Sequence, residues 1–411
     1  MLKILYTLIV ICGIALMLYT CKSPEKTTIA QSEPITSNNT VKEKEPEKEY
    51  APINYLLPPK DSVSEITINL VGDLMCHKPQ TNNAEVSPGV YDFKPSFEYI
   101  KPYLQNADIT IGNLETTFAG SGRPYAGYPA FNSPDAYCAA IKDAGFDFLV
   151  TANNHSMDTQ EEGLLRTIDV IRKNNLGYAG TYLNQKDHDS IRVINVKGVK
   201  LAILNYTYGT NGSYPAADHK YMLNVIDSAG ISEAAKIAKQ KGADVILVFY
   251  HMGLENIQEP TQAQNDAVKY ALNAGATLVI GAHPHVIGPS RVVYSKAIND
   301  TAFVAYSLGN FLSNQYWRYT DAGVILKLTI QKNYTKKTTS YKNSSYTPTW
   351  VYRGDGTKKM HVLFPAQWVK DSLKLPAYIN ASHKQKMAEA LEDTKLILTK
   401  YNSLIQLNSE K

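Results

Sequence analysis

Two histidines separated by one residue, His283 and His285, follow the apolar residues 278–280 after Gly281 and Ala282. An apolar run of this length predicts a strand that is buried on both faces. Alternate side chains of an extended segment point the same way, so we expect the two imidazoles to converge on one point. Converging imidazoles are common ligands of transition metals, although two surface histidines would give the same pattern.

Several other apolar segments of the chain also end on Asp, Glu, Asn or His. In open α/β sheets, binding sites form just beyond the carboxyl ends of the strands. The repeated pattern therefore predicts one shared polar site. The segment ends are Gly72-Asp73, Asn113-Leu114-Glu115, Asn153-Asn154-His155, Tyr250-His251 and Leu308-Gly309-Asn310.

Most of these polar residues are candidate metal ligands. Carboxylate, imidazole and amide groups together suit Mn, Fe or Zn better than Ca or Mg, which prefer oxygen ligands alone. The set is larger than the three protein ligands of one catalytic zinc, so it favours two divalent transition metals, typically ~3.5–4 Å apart. The candidates are Asp73, Glu115, Asn154, His251, His283 and His285, with Glu115 as the natural bridge and His77 as a further candidate.

His155 directly follows Asn154 and is not needed as a ligand, which makes it the best candidate for a general acid. Asp158, three residues later, is placed to fix the tautomer of its ring. Each candidate taken alone could have a purely structural role. Gly72-Asp73 could form a turn, Asn153-Asn154 could form a loop, and a single histidine could be a packed side chain. The prediction of a catalytic site depends on their occurrence together and in order.

The N-terminus has the pattern of a secretory signal, with Lys3 followed by an apolar run over residues 4–19. Cys21 lies at the end of the run, so residues 1–21 resemble a bacterial lipoprotein signal in which Cys21 is lipidated. An uncleaved N-terminal anchor is the alternative. In both cases we expect the rest of the chain outside the cytoplasm, in the cell envelope. Residues 22–63 are rich in Glu, Lys, Thr, Ser and Pro and predict a disordered tether.

Alternating strand and helix patterns predict an α/β domain over residues 64–370, with a C-terminal helical extension over residues 371–411. Residues 331–358 are polar and rich in Tyr, Lys and Thr, which predicts an excursion from the core. Residues 383–404 predict an amphipathic helix capped by Ser382.

The charge and the cysteine content argue against a nucleic-acid-binding protein and against a disulfide-rich protein. The formal net charge is +4 with 19% charged residues and no concentrated basic patch, so no nucleic-acid partner is predicted. Of the 4 cysteines, only Cys76 and Cys138 lie in the predicted folded part, which is no disulfide framework. A single bridge between them is one alternative, and two unpaired core thiols are the favoured one.

The ordered motifs resemble the bacterial CapA family of capsule or poly-γ-glutamate biosynthesis proteins, within the calcineurin-like metallophosphatase superfamily. The resemblance covers about residues 64–330. It implies a four-layer α/β/β/α sandwich of the metallo-dependent phosphatase type, with a two-metal centre at the strand ends. The motifs are Gly72-Asp73, Asn113-Leu114-Glu115, Asn153-Asn154-His155-Ser156-Met157-Asp158, His251-Met252-Gly253-Leu254-Glu255, Gly281-Ala282-His283-Pro284-His285 and Ser307-Leu308-Gly309-Asn310-Phe311.

Carried over by position, the resemblance also assigns roles to single residues. The chain has Asn113 where the wider superfamily has Asp, which moves the bridging role to Glu115. Asp73 and His285 would bind one metal, Asn154, His251 and His283 the other, and His155 would be the proton donor. The candidate substrate-binding residues are Arg123, from the turn-rich loop 119–134, Glu255 and Asn310.

Two functional hypotheses follow. The first is an extracytoplasmic, membrane-anchored metallohydrolase that acts on an amide or phosphoester of an anionic polymer or peptide. The second is a non-catalytic assembly factor that binds the nascent polymer and partners a membrane synthase. Turnover of a model phosphodiester or γ-glutamyl peptide by metal-loaded protein would distinguish them.

Overall fold

A computed structural model describes residues 63–354, 360–402 and 404–408. The predicted signal, the lipidation site Cys21 and nearly all of the predicted tether lie outside the described residues. Among the residues described, no helix combines the length and apolar character needed to cross a membrane.

The strands are numbered in chain order. They are β1 (Val63–Leu74), β2 (Glu85–Ser87), β3 (Val90–Tyr91), β4 (Ile109–Leu114), β5 (Phe148–Val150), β6 (Gly177–Ala179), β7 (Arg192–Val196), β8 (Val199–Thr207), β9 (Val245–His251), β10 (Leu278–Ala282), β11 (Ser290–Ser295), β12 (Asp300–Ala305), β13 (Asn310–Leu312), β14 (Ala322–Asn333), β15 (Thr338–Tyr352), β16 (Val362–Pro365) and β17 (Gln406–Leu407).

The α-helices are α1 (Lys78–Ala84), α2 (Lys101–Leu104), α3 (Asp135–Ala144), α4 (Gln160–Lys173), α5 (Gln185–Asp189), α6 (Ser228–Gln240), α7 (Gln262–Ala274) and α8 (Ala381–Thr399). Short 3₁₀ helices cover Lys94–Phe97, Lys220–Met222, Ala366–Lys370 and Ser372–Lys374. Helices α3 and α7 end at Gly145 and Gly275, both left-handed, which satisfies the last carbonyls of each helix.

The strands form two large sheets and one small hairpin. The first sheet has the order β16-β15-β14-β1-β4-β5-β6, with β13 also paired to β1 and β17 to β15. The second has the order β11-β12-β10-β9-β8-β7. Strands β1, β4, β5 and β6 run parallel in the first sheet, and β8, β9, β10 and β12 run parallel in the second. The carboxyl ends of the parallel strands therefore line one edge of each sheet.

The two sheets face each other across an apolar core, to which Ile68, Ile111, Phe249 and Ile280 contribute fully buried side chains. The outer face of the first sheet is covered by α3 and α4 and that of the second by α6 and α7. This is the predicted α/β fold, a four-layer α/β/β/α sandwich, which confirms the fold class that the resemblance implied.

Residues 331–358 were predicted to leave the core, and this prediction was wrong for most of the segment. β15 pairs antiparallel with the whole length of β14, from Asn333 opposite Thr338 to Ala322 opposite Trp350. The outer half of this hairpin is solvent-exposed, so its strands carry Thr, Tyr and Lys rather than apolar residues. Such polar β-strands lack the apolar pattern from which strands are predicted.

The C-terminal helix is shorter and begins earlier than predicted. Asn380 caps α8 by accepting the backbone N–H of His383 at 3.1 Å, and Ser382 lies inside the helix. The buried side chains Met387 and Leu391 pack with Trp350 and Phe364 of the first sheet. The prediction missed the start because Asn380 and Ser382 are both good capping residues.

Candidate metal centre

The predicted ligands come together where the carboxyl edges of the two sheets meet. Asp73 is near the end of β1, and Glu115 directly follows β4, so the first sheet supplies both carboxylates. His251 is the last residue of β9 in the second sheet, and His283 and His285 follow its neighbour β10. All five side chains are buried.

His283 and His285 do converge, with ring centroids 5.9 Å apart, but not as alternate residues of a strand. β10 ends at Ala282, and both histidines have a left-handed backbone, with φ of 98° and 59°. The extended conformation predicted from the sequence was therefore wrong. Non-glycine residues rarely adopt this conformation, and such strain concentrates at functional sites.

His285 is oriented by two oxygens. Its Nδ1 lies 3.1 Å from Asp73 Oδ2 and 3.1 Å from Asn310 Oδ1. Asn310 is fully buried and its amide donates to Gln315 Oε1 at 2.9 Å and to the Thr320 carbonyl at 2.8 Å. Asn310, a candidate substrate-binding residue, thus contacts a proposed ligand, and its amide oxygen is held towards His285.

His251 contacts residues of the opposite sheet through both ring nitrogens. Nε2 lies 2.8 Å from Asn154 Oδ1 and 3.6 Å from Glu115 Oε1. Nδ1 lies 3.1 Å from the amide nitrogen of Asn113, which also donates to Asp73 Oδ1 at 2.8 Å. Asn113 was recognised from the sequence only as a departure from the superfamily pattern, yet it links two proposed ligands.

The surroundings of the Glu115 carboxylate show whether these residues fit a metal ion. Both of its carboxylate oxygens are buried and have no hydrogen-bond partner among the described residues, and the same holds for His283 Nδ1. Burying unpartnered acceptors is unfavourable, and a divalent cation would satisfy all of them. The residues therefore fit a metal centre.

Glu115 also belongs to both groups of side chains, among those described, whose ligand atoms lie close enough to hold one ion. These groups are Asp73, Glu115 and His251, and Glu115, His283 and His285. The shared Glu115 agrees with the predicted bridge. The histidines are distributed differently from the resemblance, which placed His285 with Asp73 and His283 with His251.

Burial dominates the electrostatics of the centre. It raises the pKa of Glu115 well above its usual value, and the negative charge of Asp73 raises this pKa further. Burial also lowers the pKa of His283 to about 4 and that of His251 well below its usual value. The two imidazoles are therefore neutral at pH 7, which is the form that binds metals.

His155 and Asp158 form a buried pair beside these ligands. His155 Nδ1 lies 2.7 Å from Asp158 Oδ2, and the side chains are 4% and 6% exposed. Asp158 Oδ2 also accepts the backbone N–H of Phe131 at 2.6 Å, and the Phe131 ring packs edge-on against the imidazole at 4.7 Å. The contact at Nδ1 leaves Nε2 as the atom at which His155 can hold a transferable proton.

Loop residues 207–211, which the sequence did not single out, also reach the centre. The Tyr208 ring lies 4.7 Å from the His283 ring, and its backbone N–H donates to the His251 carbonyl at 3.0 Å. The Asn211 side chain contacts both Asn154 and His155 at 3.4 Å. No sequence pattern marks these residues, because their position depends on how the loop folds back over the strand ends.

The remaining candidates, Arg123, Glu255 and His77, belong to neither ligand group. Arg123 is 42% exposed and pairs with Glu162 at 2.9 Å. Glu255 is exposed, and its negative charge contributes to the raised pKa of Glu115 and of Tyr208. His77 Nδ1 is engaged by Gln80 Oε1 at 3.2 Å, and His77 joins neither ligand group.

Cys76 and Cys138 are both buried and form no disulfide, which confirms the favoured alternative of two core thiols. Burial raises the pKa of Cys76 to about 11, so this thiol is protonated and unreactive at pH 7.

Comparison with known proteins gives matches over most of the described chain. A profile of the family described as "Bacterial capsule synthesis protein PGA_cap" matches residues 67–315, more than half of the 411 residues. The chain is 30% identical to "Capsule biosynthesis protein CapA" of Bacillus anthracis over 66% of this chain and 65% of the relative. It is 28% identical to "PGA biosynthesis protein CapA" of Bacillus subtilis (strain 168), over 73% of this chain and 74% of the relative. The match thus spans just under two thirds of the length of the first relative.

Likeness to solved structures is more distant. The NAD nucleotidase of Haemophilus influenzae superposes with a TM-score of 0.44 and 14% identity, covering 85% of this chain and 65% of that chain. A novel phosphatase of Mycoplasma pneumoniae gives a TM-score of 0.42 and 14% identity, covering 70% of this chain and 94% of that chain. Neither likeness is close enough to bear on function.

Proposed function

Because the chain belongs to the family of bacterial capsule synthesis proteins described as PGA_cap, we propose that it is a two-metal hydrolase of the cell envelope. Its proposed substrate is an anionic polymer or peptide of capsule or poly-γ-glutamate synthesis, cleaved at an amide or phosphoester bond. Its proposed attachment is a lipid on Cys21, which would hold the folded domain near a membrane synthase.

One observation carries the proposal. Within the described part of the chain, Glu115 has two buried oxygens without hydrogen-bond partners and is shared by two groups of side chains that could hold a metal ion. A buried carboxylate that only maintained the fold would be expected to accept hydrogen bonds, because an unpartnered one is destabilising. The arrangement therefore favours a bridging ligand over a structural residue.

Two divalent transition metals, Mn, Fe or Zn, held by Asp73, Glu115, Asn154, His251, His283 and His285, would supply Lewis-acid polarisation of a substrate oxygen and an acidified water. Asn310 and Asp73 orient the His285 ring, and Asn113 holds Asp73 against His251. These neighbours fix the ligands before metal and substrate arrive.

His155 would complete the reaction as general acid. Hydrolysis adds the oxygen of water to carbon or phosphorus, and the departing nitrogen or oxygen takes up a proton. Asp158 holds the proton on Nδ1 of His155, so a second proton carried by Nε2 is the one delivered to the leaving group. The pair is buried, so its geometry is fixed by packing against Phe131.

The test is turnover by full-length protein loaded with Mn²⁺ or Zn²⁺, using bis(p-nitrophenyl) phosphate and a γ-glutamyl peptide. The Glu115→Gln variant keeps the size of the side chain but removes its charge. It is expected to lose at least ~10²-fold in activity, since a bridging carboxylate acts on both metals. Glu65→Gln is the matched control, because Glu65 lies on β1 but is partly exposed and pairs with Lys342.

Metal binding without turnover of either substrate would reject the hydrolase proposal and leave the non-catalytic assembly factor. Equal activity of Glu115→Gln and wild-type protein would reject the bridging role of Glu115.

A further inference from the structure

We propose that Asn211 is a positioning residue that holds the Asn154 amide with its oxygen directed at the metal centre. The proposal rests on the proposed metal centre and adds a residue from a loop that supplies no ligand. An amide binds a metal through oxygen, so a side chain rotated by half a turn would present its NH₂ group and bind nothing.

The contacts at the two ends of the Asn154 amide differ. Its Oδ1 lies 2.8 Å from His251 Nε2, on the side of Glu115. Its Nδ2 donates to Asn211 Oδ1 at 3.4 Å. The Asn211 oxygen therefore favours the rotamer in which the oxygen of Asn154, and not its nitrogen, faces the ligands.

The position of Asn211 is fixed independently of this side-chain contact. Its backbone N–H donates to the Asn154 carbonyl at 3.1 Å. Upstream, Tyr208 is hydrogen-bonded to the end of β9. Downstream, the Ala216 N–H donates to Glu161 Oε1 of α4 at 2.7 Å, and His219 Nδ1 lies 2.7 Å from Glu161 Oε2. The loop is held on both sides, so Asn211 can impose an orientation on Asn154.

Asn211 also contacts His155, since its Nδ2 lies 3.4 Å from His155 Nδ1. That ring nitrogen already has Asp158 Oδ2 at 2.7 Å, a much shorter contact. A proton on Nδ1 directed at Asp158 leaves that nitrogen without a lone pair for Asn211. The effect of Asn211 is therefore expected on metal retention and not on the proton donor.

The experiment is Mn²⁺ titration of the metal-free, full-length protein by calorimetry, with no substrate present. Asn211→Ala removes the acceptor and is expected to weaken one of two Mn²⁺ sites about tenfold, the low end for residues that orient a ligand. Asn211→Asp keeps an oxygen at the same place and is expected to bind Mn²⁺ as tightly as the wild type. Ser213→Ala is the matched control, because Ser213 lies on the same loop as Asn211 and its hydroxyl donates to Gln160 of α4 in an exposed contact.

Rescue by Asp but not by Ala would support the proposal, since loosening of the loop would affect both variants alike. Wild-type affinity in Asn211→Ala would overturn it, and so would equal losses in the Ala and Asp variants. Wild-type protein that binds no Mn²⁺ would remove the metal centre itself, and the proposed function and this proposal would fall together. Absence of turnover with normal Mn²⁺ binding would affect the hydrolase proposal alone.

Discussion

His251 Nε2 lies 2.8 Å from Asn154 Oδ1, although His251 ends β9 of the second sheet and Asn154 follows β5 of the first. A second polar contact joins the sheets nearby, where Asn205 of β8 accepts the backbone N–H groups of Thr151 and Ala152 at 3.0 and 2.6 Å. The candidate centre therefore lies at the interface between the two sheets, and its geometry depends on how the sheets pack against each other.

Asn154 and His155 are neighbours with separable roles. Asn154→Ala is expected to lower metal content, because it removes a proposed ligand. His155→Ala is expected to keep the metal and to lose ~10²–10⁴-fold in rate on substrates with poor leaving groups, as for a general acid. Elemental analysis and assays on a good and a poor leaving group measure the two effects. Equal metal loss in both variants would make His155 a ligand.

Gly72 has no room for a side chain. A Cβ at this position would lie 1.9 Å from the Gly309 carbonyl oxygen, where β1 meets the segment leading into β13. Gly72→Ala is expected to destabilise the fold by about 3 kcal/mol or more, because backbone must move. Gly122→Ala is the control, since no atom lies within 4 Å of the added carbon. Urea denaturation of both variants measures the change, and similar stabilities would contradict the expectation.

His361 makes stability depend on pH. Burial lowers its pKa from 6.5 to about 3 in the folded protein. Between these values the unfolded chain binds a proton that the folded chain does not, so stability falls as pH decreases below 6.5. The slope approaches ~1.4 kcal/mol per pH unit for one proton.

His361→Gln should remove this component, so its free energy of unfolding should fall less between pH 6 and pH 4 than that of wild type. Ser213→Ala, which removes no titratable group, should leave the wild-type slope. Identical slopes for His361→Gln and wild type in urea titrations would show that His361 is protonated in the folded state.

Attachment through Cys21 is tested with labelled fatty acid in cells. The wild-type protein is expected to carry the label, and Cys21→Ser is expected to lose it and leave the membrane fraction. Cys12→Ser, within the apolar run, should keep the label. A Cys21→Ser protein that stays with the membrane would indicate an uncleaved N-terminal anchor instead.

Much of the candidate centre could be predicted because its proposed ligands lie at or just after the ends of buried strands. The apolar runs before Asp73, His251 and His283 show where each strand ends, and parallel strands end at one edge. The layer order followed from the resemblance. Local patterns were therefore enough to bring the ligands to one place.

Other parts depend on contacts that are distant in sequence. Asn211 and Tyr208 reach the centre only because their loop folds back over β9, and nothing local marks it. His283 and His285 have a left-handed backbone because they lie in the turn that follows β10. The prediction assumed that the strand continues through both residues, so it could not include this turn. Strand β15 was missed because pairing with β14, and not an apolar pattern, holds its outer half in place.

The strand order also determines when the centre can form during synthesis. β1 carries Asp73, but it lies between β4 and β14, and its pairing with β14 extends to Asn333. The ribosome must pass residue 285 before the last proposed ligand exists and residue 333 before β1 has its antiparallel neighbour. Metal capture is then a late event in folding. If the proposed export is correct, the proposed metals would be taken from the compartment where the chain finishes folding, and not from the one where it is made.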